Sequence, residues 1–269
     1  MINPTRRLYP SDMTDDEWAI WEPVLPAVPL HPNFPEPKYS RRELLNGVLY
    51  RMRTGCQWRH LPHTFPPWQS TASHFYRWRN SGVFERARDK MRRSERQAQG
   101  RHAEPTLGVV DSQSVKATEV GGEKGFDAGK KVKGRKRHIL VDCLGLLLAV
   151  TVTAASVQDR DGLVAVAEKR SSTPIGLKKI LVDSAYNGDV IAQFTGRTGV
   201  PVEITKPPEG SKGFSVVRIR WVVERTFGWL NRERLLSKSY ERTIESEEAW
   251  INLATVRMLV RRASRRLPV

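Results

Sequence analysis

The sequence predicts an α/β protein: an all-α region over residues 1–100, then a mixed five-stranded sheet flanked by helices over residues 101–269. Three observations carry that reading. Apolar residues recur at three- and four-residue spacing through the first hundred positions, behind helix-capping signals. From Leu107 onward, short β-branched runs alternate with helical stretches. The composition, 39% hydrophobic and 28% charged over 269 residues, is globular and leaves room for one large or two modest cores.

The elements follow in order. Thr14 with Glu17 three residues later has capping-box spacing, and Trp18, Ile20, Trp21, Val24 and Leu25 follow it, so a short helix begins there. Six prolines between Pro23 and Pro37 demand an extended connector. Ser40 and Glu43 repeat the capping spacing ahead of Leu44, Leu45, Val48, Leu49 and Met52, a helix that stops at Gly55. Further helices are expected over 69–80 and from Gly82 to about Gln97. Arg77 and Arg79 interleave there with His74, Phe75, Tyr76 and Trp78. A helix-turn-helix-like DNA-binding unit fits this pattern, and a helical bundle with core aromatics and solvated arginines fits it equally.

In the second half, Leu107–Val110 is a strand ending in Asp111. Arg137–Asp142 and Leu146–Thr153 form a hairpin, and Lys179–Val182 is a strand ending in Asp183. Val200–Ile204 is the fifth strand. Helices are expected over 161–170, 190–195, 216–236 and 246–262. The first and fourth strands of this order lie side by side.

Lys and Arg number 45 against 29 Asp and Glu, a net charge of +16, and such an excess suits a polyanionic partner. Both halves are basic. Six of the eight residues from Lys130 to Arg137 are cationic (Lys130, Lys131, Lys133, Arg135, Lys136 and Arg137), and glycines surround them. They read as a flexible arm along DNA phosphates, or else as a solvated approach to a hairpin. No apolar run is long enough to span a bilayer, which argues against a membrane partner. The two cysteines, Cys56 and Cys143, are far apart, outside any CxxC spacing, and read as buried small hydrophobes in a reducing compartment. The six histidines show no metal-ligand spacing.

Asp111 and Asp183, each at a strand end, and Glu224 in the late helix are the carboxylates that position singles out. Clustered carboxylates repel one another unless a cation lies between them, and hard oxygen donors suit Mg²⁺ or Mn²⁺. Each also has a plain structural reading, as a turn or cap aspartate and a helical surface glutamate. Trp221 and Trp229 on the same helix read as core aromatics, with stacking on a flipped base at a cleaved end as the alternative.

The segments DSQSVKA from Asp111, KGRKRHILVD, LVDCLGLLLAVTVTAASVQD, ILVDSAYNG and RWVVERTFGWLNRERLLSKSYE resemble the DDE transposases of bacterial insertion sequences, closest to insertion sequence family five within the family-four-like group. The stretches DMTDDEWAIWEPVLP and TGCQWRHLPHTFPPWQSTASHFYRWRNSGVFERA resemble the helical region that precedes the catalytic core in that group. The resemblance implies an RNase H-like catalytic domain over 101–269, with catalytic and metal-binding roles for Asp111, Asp183 and Glu224 and Mg²⁺ (or Mn²⁺) as cofactor. It further implies cleavage at element ends and transfer of a 3′-hydroxyl strand into target DNA, by a homo-oligomer assembled on terminal inverted repeats in the bacterial cytoplasm, at the nucleoid. A nuclease without strand transfer and a catalytically silent DNA-binding regulator are the rival readings. Arg220 matches the family arginine one turn before the glutamate. Seven positions after the glutamate, where relatives carry a basic residue, this chain has Asn231, and Arg232 is the candidate replacement.

Overall fold

The computed structural model describes residues 6–26, 38–171, 176–186, 189–205 and 218–267, without the side chains of 167, 168, 170, 171 and 218–220. Most of the expected proline-rich connector and the first two residues of the helix expected from Val216 lie outside these ranges.

The helical region begins with α1 (Asp15–Trp21), where Thr14 Oγ1 accepts from the Glu17 amide and Glu17 Oε2 accepts from the Thr14 amide, the reciprocal capping box its spacing predicts. In α2 (Arg41–Thr54), Ser40 caps the Glu43 amide, and Gly55 ends the helix in the left-handed region at φ 72°. Two further helices follow, α3 (Trp68–Asn80) and α4 (Val83–Ala98), separated by Gly82 at φ 67°. Phe75 and Trp78 of α3 are core residues, as a helical bundle requires, while Arg77 is exposed and Arg79 donates to Ser246 Oγ at 2.6 Å.

The sheet contains six strands among the described residues, one more than expected: β1 (Leu107–Lys116), β2 (Gly125–Asp127), β3 (Val132–Asp142), β4 (Leu147–Ala154), β5 (Lys179–Val182) and β6 (Val202–Ile204). Strands β2 and β4 pair with successive stretches of one edge of β3, whose other edge takes β1. Apart from the three-residue β2, the order is β4-β3-β1-β5-β6, an antiparallel meander continued by two parallel strands, which is the RNase H-like arrangement. Helices α5 (Asp159–Ser171) and α6 (Asp189–Thr198) carry the chain between the parallel strands, and α7 (Arg218–Leu230) and α8 (Ile244–Ser264) follow β6.

Strand β1 does not end at Asp111. It pairs with β3 continuously from Gly108↔Asp142 to Lys116↔Gly134. The polar run Ser112–Ser114 is held in the strand from outside it, because Ser112 Oγ donates to Asp159 at 2.7 Å and Ser114 Oγ to Asp127 at 2.6 Å. The late helix is shorter than the expected 216–236, with a 3-10 turn over Arg234–Leu236 after α7.

Two apolar clusters sandwich the sheet. Val110, Leu140, Ile180 and Val182 face α5 and α6, while Val109, Ile139, Val141 and Leu181 face α7 and α8. The second cluster is continuous with the core of the helical region. Trp250 of α8 is fully buried, with its ring stacked on Phe75 at 4.0 Å between centroids, and the Arg51 guanidinium lies over the same indole. The helices before the sheet and the last helix after it therefore share one core.

Candidate functional site

Strands β1 and β5 run parallel with Leu107 opposite Lys179, Gly108 opposite Ile180 and Val109 opposite Leu181. Continuing that register by two residues sets Asp111 opposite Asp183. Asp111 alternates onto the face of Val109, the face covered by α7, whose Val223 and Phe227 belong to the same cluster, and Asp183 follows directly on the end of β5. Glu224 follows Val223 on α7 and is exposed at the margin of that packed stripe. The sheet thus brings the two aspartates into adjoining positions and puts the helix bearing the glutamate beside them. Among the described residues no three His, Cys, Asp or Glu side chains stand close enough to share one metal ion. The two aspartates still offer hard oxygen donors at one edge, chemistry that fits a divalent cation.

Local hydrogen bonds orient both aspartates. Asp111 Oδ1 accepts from the Ser112 amide at 2.7 Å, and Asp183 Oδ1 accepts from the Ala185 amide at 2.8 Å in the turn that leaves β5. Beside them stands a group that sequence reading missed. Asp159, at the start of α5, accepts from Ser112 Oγ and from Lys136 Nζ at 2.8 Å, with Lys130 Nζ at 3.7 Å. Burial alone would raise the Asp159 pKa, but the bonds from Lys136 and Ser112 and the nearby Lys130 charge outweigh it and hold the carboxyl below its ordinary value. Tyr186, buried three residues after Asp183, has its pKa pushed well up, first by burial and then by the charges of Asp111, Asp159 and Asp183. The available signal for Asp159 was an aspartate at the first helical position after a strand, which is also an ordinary helix start.

The basic segment from Lys130 to Arg137 departs from the expected arm. Val132 through Arg137 are part of β3, and Arg135, Lys136 and Arg137 are buried. Strand alternation sends Arg135 and Arg137 to the α8 side, where both donate to the buried Glu247, at 3.1 and 2.8 Å. Lys136 points to the other side and meets Asp127 and Asp159. Three of the six cations are thus internal counter-ions, withdrawn from any surface that DNA reaches. Lys131 and Lys133 are exposed, and Lys130 keeps nearly half of its side chain exposed beside Ser112.

The aromatic reading of α7 also changes. Trp221 is 48% exposed rather than core, and Trp229 is half-buried. Arg225 lies 5.0 Å from the Trp221 ring centroid and 4.8 Å from that of Trp229, and Arg262 of α8 covers Trp229 at 4.5 Å. An aromatic and cationic surface therefore adjoins Glu224. Asn231 and Arg232 are both exposed just beyond α7, and the Arg220 side chain lies outside the described residues. Cys56 and Cys143 are half-buried rather than buried. No described helix is long and apolar enough to cross a membrane.

Comparison with known proteins bears on this arrangement. Residues 13–87 match a family described as "Putative transposase of IS4/5 family", and residues 102–259, more than half of the chain, match the family "Transposase DDE domain". A curated relative, "Putative transposase for insertion sequence element IS402" from Burkholderia cepacia, is 30% identical over 130 residues, which is 45% of this chain and 60% of the relative's length. Among solved structures, the "Mos1 transposase paired-end complex with left transposon end" aligns over 88% of this chain and 80% of that one, with a TM-score of 0.26 and 10% identity, a likeness too low to decide the fold.

Proposed function

The chain belongs to the family of proteins with a transposase DDE domain, and from that premise we propose that it is a transposase which binds the ends of an insertion sequence, cuts there and joins the 3′-hydroxyl strand to target DNA. The observation that supports this reading is the parallel pairing of β1 and β5, from which Asp111 and Asp183 follow at the same end of neighbouring strands, beside the helix of Glu224. Asp111 and Asp183 would hold a divalent cation, Mg²⁺ or Mn²⁺, with Glu224 as the third carboxylate. When bound, such an ion lowers the pKa of water or of a 3′-hydroxyl and stabilises the leaving oxygen of a phosphodiester.

The chain's own residues supply the rest. The amides of Ser112 and Ala185 each donate to one oxygen of the two aspartates and orient them. Asp159 ties the strand beside Asp111 to α5 through Ser112 and to the cations Lys130 and Lys136. Lys130, Lys131 and Lys133 form a basic rim at that end of β3, suited to backbone phosphates, and exposed Arg232 adds a cation just beyond the helix of Glu224; Arg220, one turn before Glu224 in sequence, is a further candidate for phosphate contact. Arg77, exposed on α3, is the candidate there for contact with the element's terminal repeats, while Arg79 is engaged with Ser246. Assembly of several copies on paired ends, in the cytoplasm at the nucleoid, belongs to the same proposal. So does a division of labour in which residues 1–100 recognise ends and 101–269 perform the chemistry.

The test uses the full chain, Mg²⁺ or Mn²⁺, and a duplex carrying the inverted repeats that flank its coding region. Joined strand-transfer products are the expected result, and free nicks alone would mean a nuclease. Asp111→Ala, Asp183→Ala and Glu224→Ala should each lower cleavage by about a thousandfold or more, because several kcal/mol of charge stabilisation are lost, while duplex binding persists. Cleavage within a few fold of wild type in any one variant removes that residue from the site.

A further inference from the structure

An open cavity of about 290 Å³ lies between the end of α7, α8 and α2, and six arginines line it: Arg53, Arg232, Arg257, Arg261, Arg262 and Arg265. Among the described residues Glu233 is the one carboxylate in its lining. It stands 3.6 Å from Arg257 and 4.0 Å from Arg53. Glu17 engages Arg261 and Glu95 engages Arg262 from outside the cavity. Even with those two counted, cations outnumber acids by six to three.

Arg257 shows what the excess does. It is buried, and its pKa falls to about 10, first from burial and then from the charges of Arg261 and Arg53, against the opposing pull of Glu233. Burial likewise lowers Arg262, with Arg225, Arg266 and Arg232 adding to the effect. Six arginines around one cavity with a single carboxylate in its lining suit an added oxyanion, and a planar fork matches a phosphate's paired oxygens. Glu224 stands about 9 Å of helix before the end of α7 at Leu230, and Arg232 lies two residues past that end. That is too far for the bond being cut and near enough for the same bound DNA.

We infer that this cavity is a phosphate-binding site that takes a backbone phosphodiester of DNA away from the cleavage point and anchors the strand presented to Asp111, Asp183 and Glu224. The inference rests on the transposase reading for the identity of the polyanion. That the ligand is a phosphate-like oxyanion rests on the arginines alone.

The experiment measures binding of full-length protein to end-containing duplex across a range of salt, for wild type, Arg261→Ala with Arg265→Ala, Arg232→Ala, and a control with Lys90→Ala and Arg101→Ala. The control removes the same charge from exposed positions that do not line the cavity. The phosphate that is no longer neutralised should flatten the slope of log affinity against log salt by about 0.9, so the double cavity variant should drop by about one unit and the control by almost none. Arg232 is exposed beyond the end of α7, so its single variant still reads the site if the double variant fails to fold. A duplex series with one neutral methylphosphonate at a time should contain one position that weakens wild type and leaves the cavity variants unaffected. Slopes equal to the control, with wild type binding DNA normally, overturn this inference and leave the transposase reading standing. Stabilisation of the fold by inorganic sulfate without DNA binding overturns both, and marks the cavity as a site for small anions.

Discussion

Replacing Glu247 should cost the protein a large part of its stability. The carboxylate is buried and accepts from Arg135 Nη1 at 3.1 Å, Arg137 Nε at 2.8 Å and Ser239 Oγ at 2.5 Å. The arginine side chains are only 2% and 1% exposed, so neither reaches water when the carboxylate is removed. Breaking a buried pair from one side costs about 3–5 kcal/mol, because a charge stays behind without compensation. Here two charges stay behind, but each keeps carbonyl partners: Arg135 at Glu123 and Arg242, Arg137 at Leu236 and Lys238. These carbonyls hold the expectation for Glu247→Ala to about 4 kcal/mol, read as a shift in urea unfolding followed by tryptophan fluorescence. A variant with Glu247, Arg135 and Arg137 all changed to apolar residues of similar volume should recover much of that loss, since the desolvation penalty leaves with the charges. A loss under about 1 kcal/mol for Glu247→Ala would refute the reasoning and free Arg135 and Arg137 to serve as surface cations.

Neutralising Lys130, Lys131 and Lys133 together should flatten the salt dependence of DNA binding by up to about 0.9 for each phosphate they neutralise, whereas Arg137→Met should leave the slope unchanged in titrations at several salt concentrations. A fragment of residues 101–269 should show no cooperative unfolding by circular dichroism, because Trp250 and the rest of the α8 core face lose their cover from α1 to α4. His138 is held near pKa 4, first by burial and then by Lys136 and Lys130, against the pull of Asp159. Its folded value lies below the ordinary value of 6.5, so the stability of the neutral form is present above pH 6.5 and lost as pH falls toward 4, by about 3 kcal/mol in all. His138→Gln should remove that part of the decline when urea midpoints at pH 7 and pH 4.5 are compared, and an unchanged decline would reject the assignment.

Local pattern by itself determined a good deal of this protein. The capping boxes at Thr14 and Ser40 and the stop at Gly55 are interactions within one turn of chain, so they are visible in a few adjacent letters. The strand Lys179–Val182 is a short apolar run bounded by polar residues and appears with the same limits in the fold. The hairpin of β3 and β4 and the adjacency of β1 and β5 were also legible, because short connections and crossover rules leave few alternatives. Partners distant in sequence decided the rest. Nothing in DSQSVK marks a strand until Asp159 and Asp127 take its serines, and nothing in KGRKR separates surface cations from buried ones until Glu247, more than a hundred residues later, claims two of them. Trp221 looked like core because aromatics usually are, yet its side of α7 turns away from the sheet while Val223 and Phe227 pack on it. The union of α8 with the first helices, and the arginine cavity beside it, arise where segments about two hundred residues apart meet. A charge acquires its meaning only from the burial and counter-ions that the finished fold supplies.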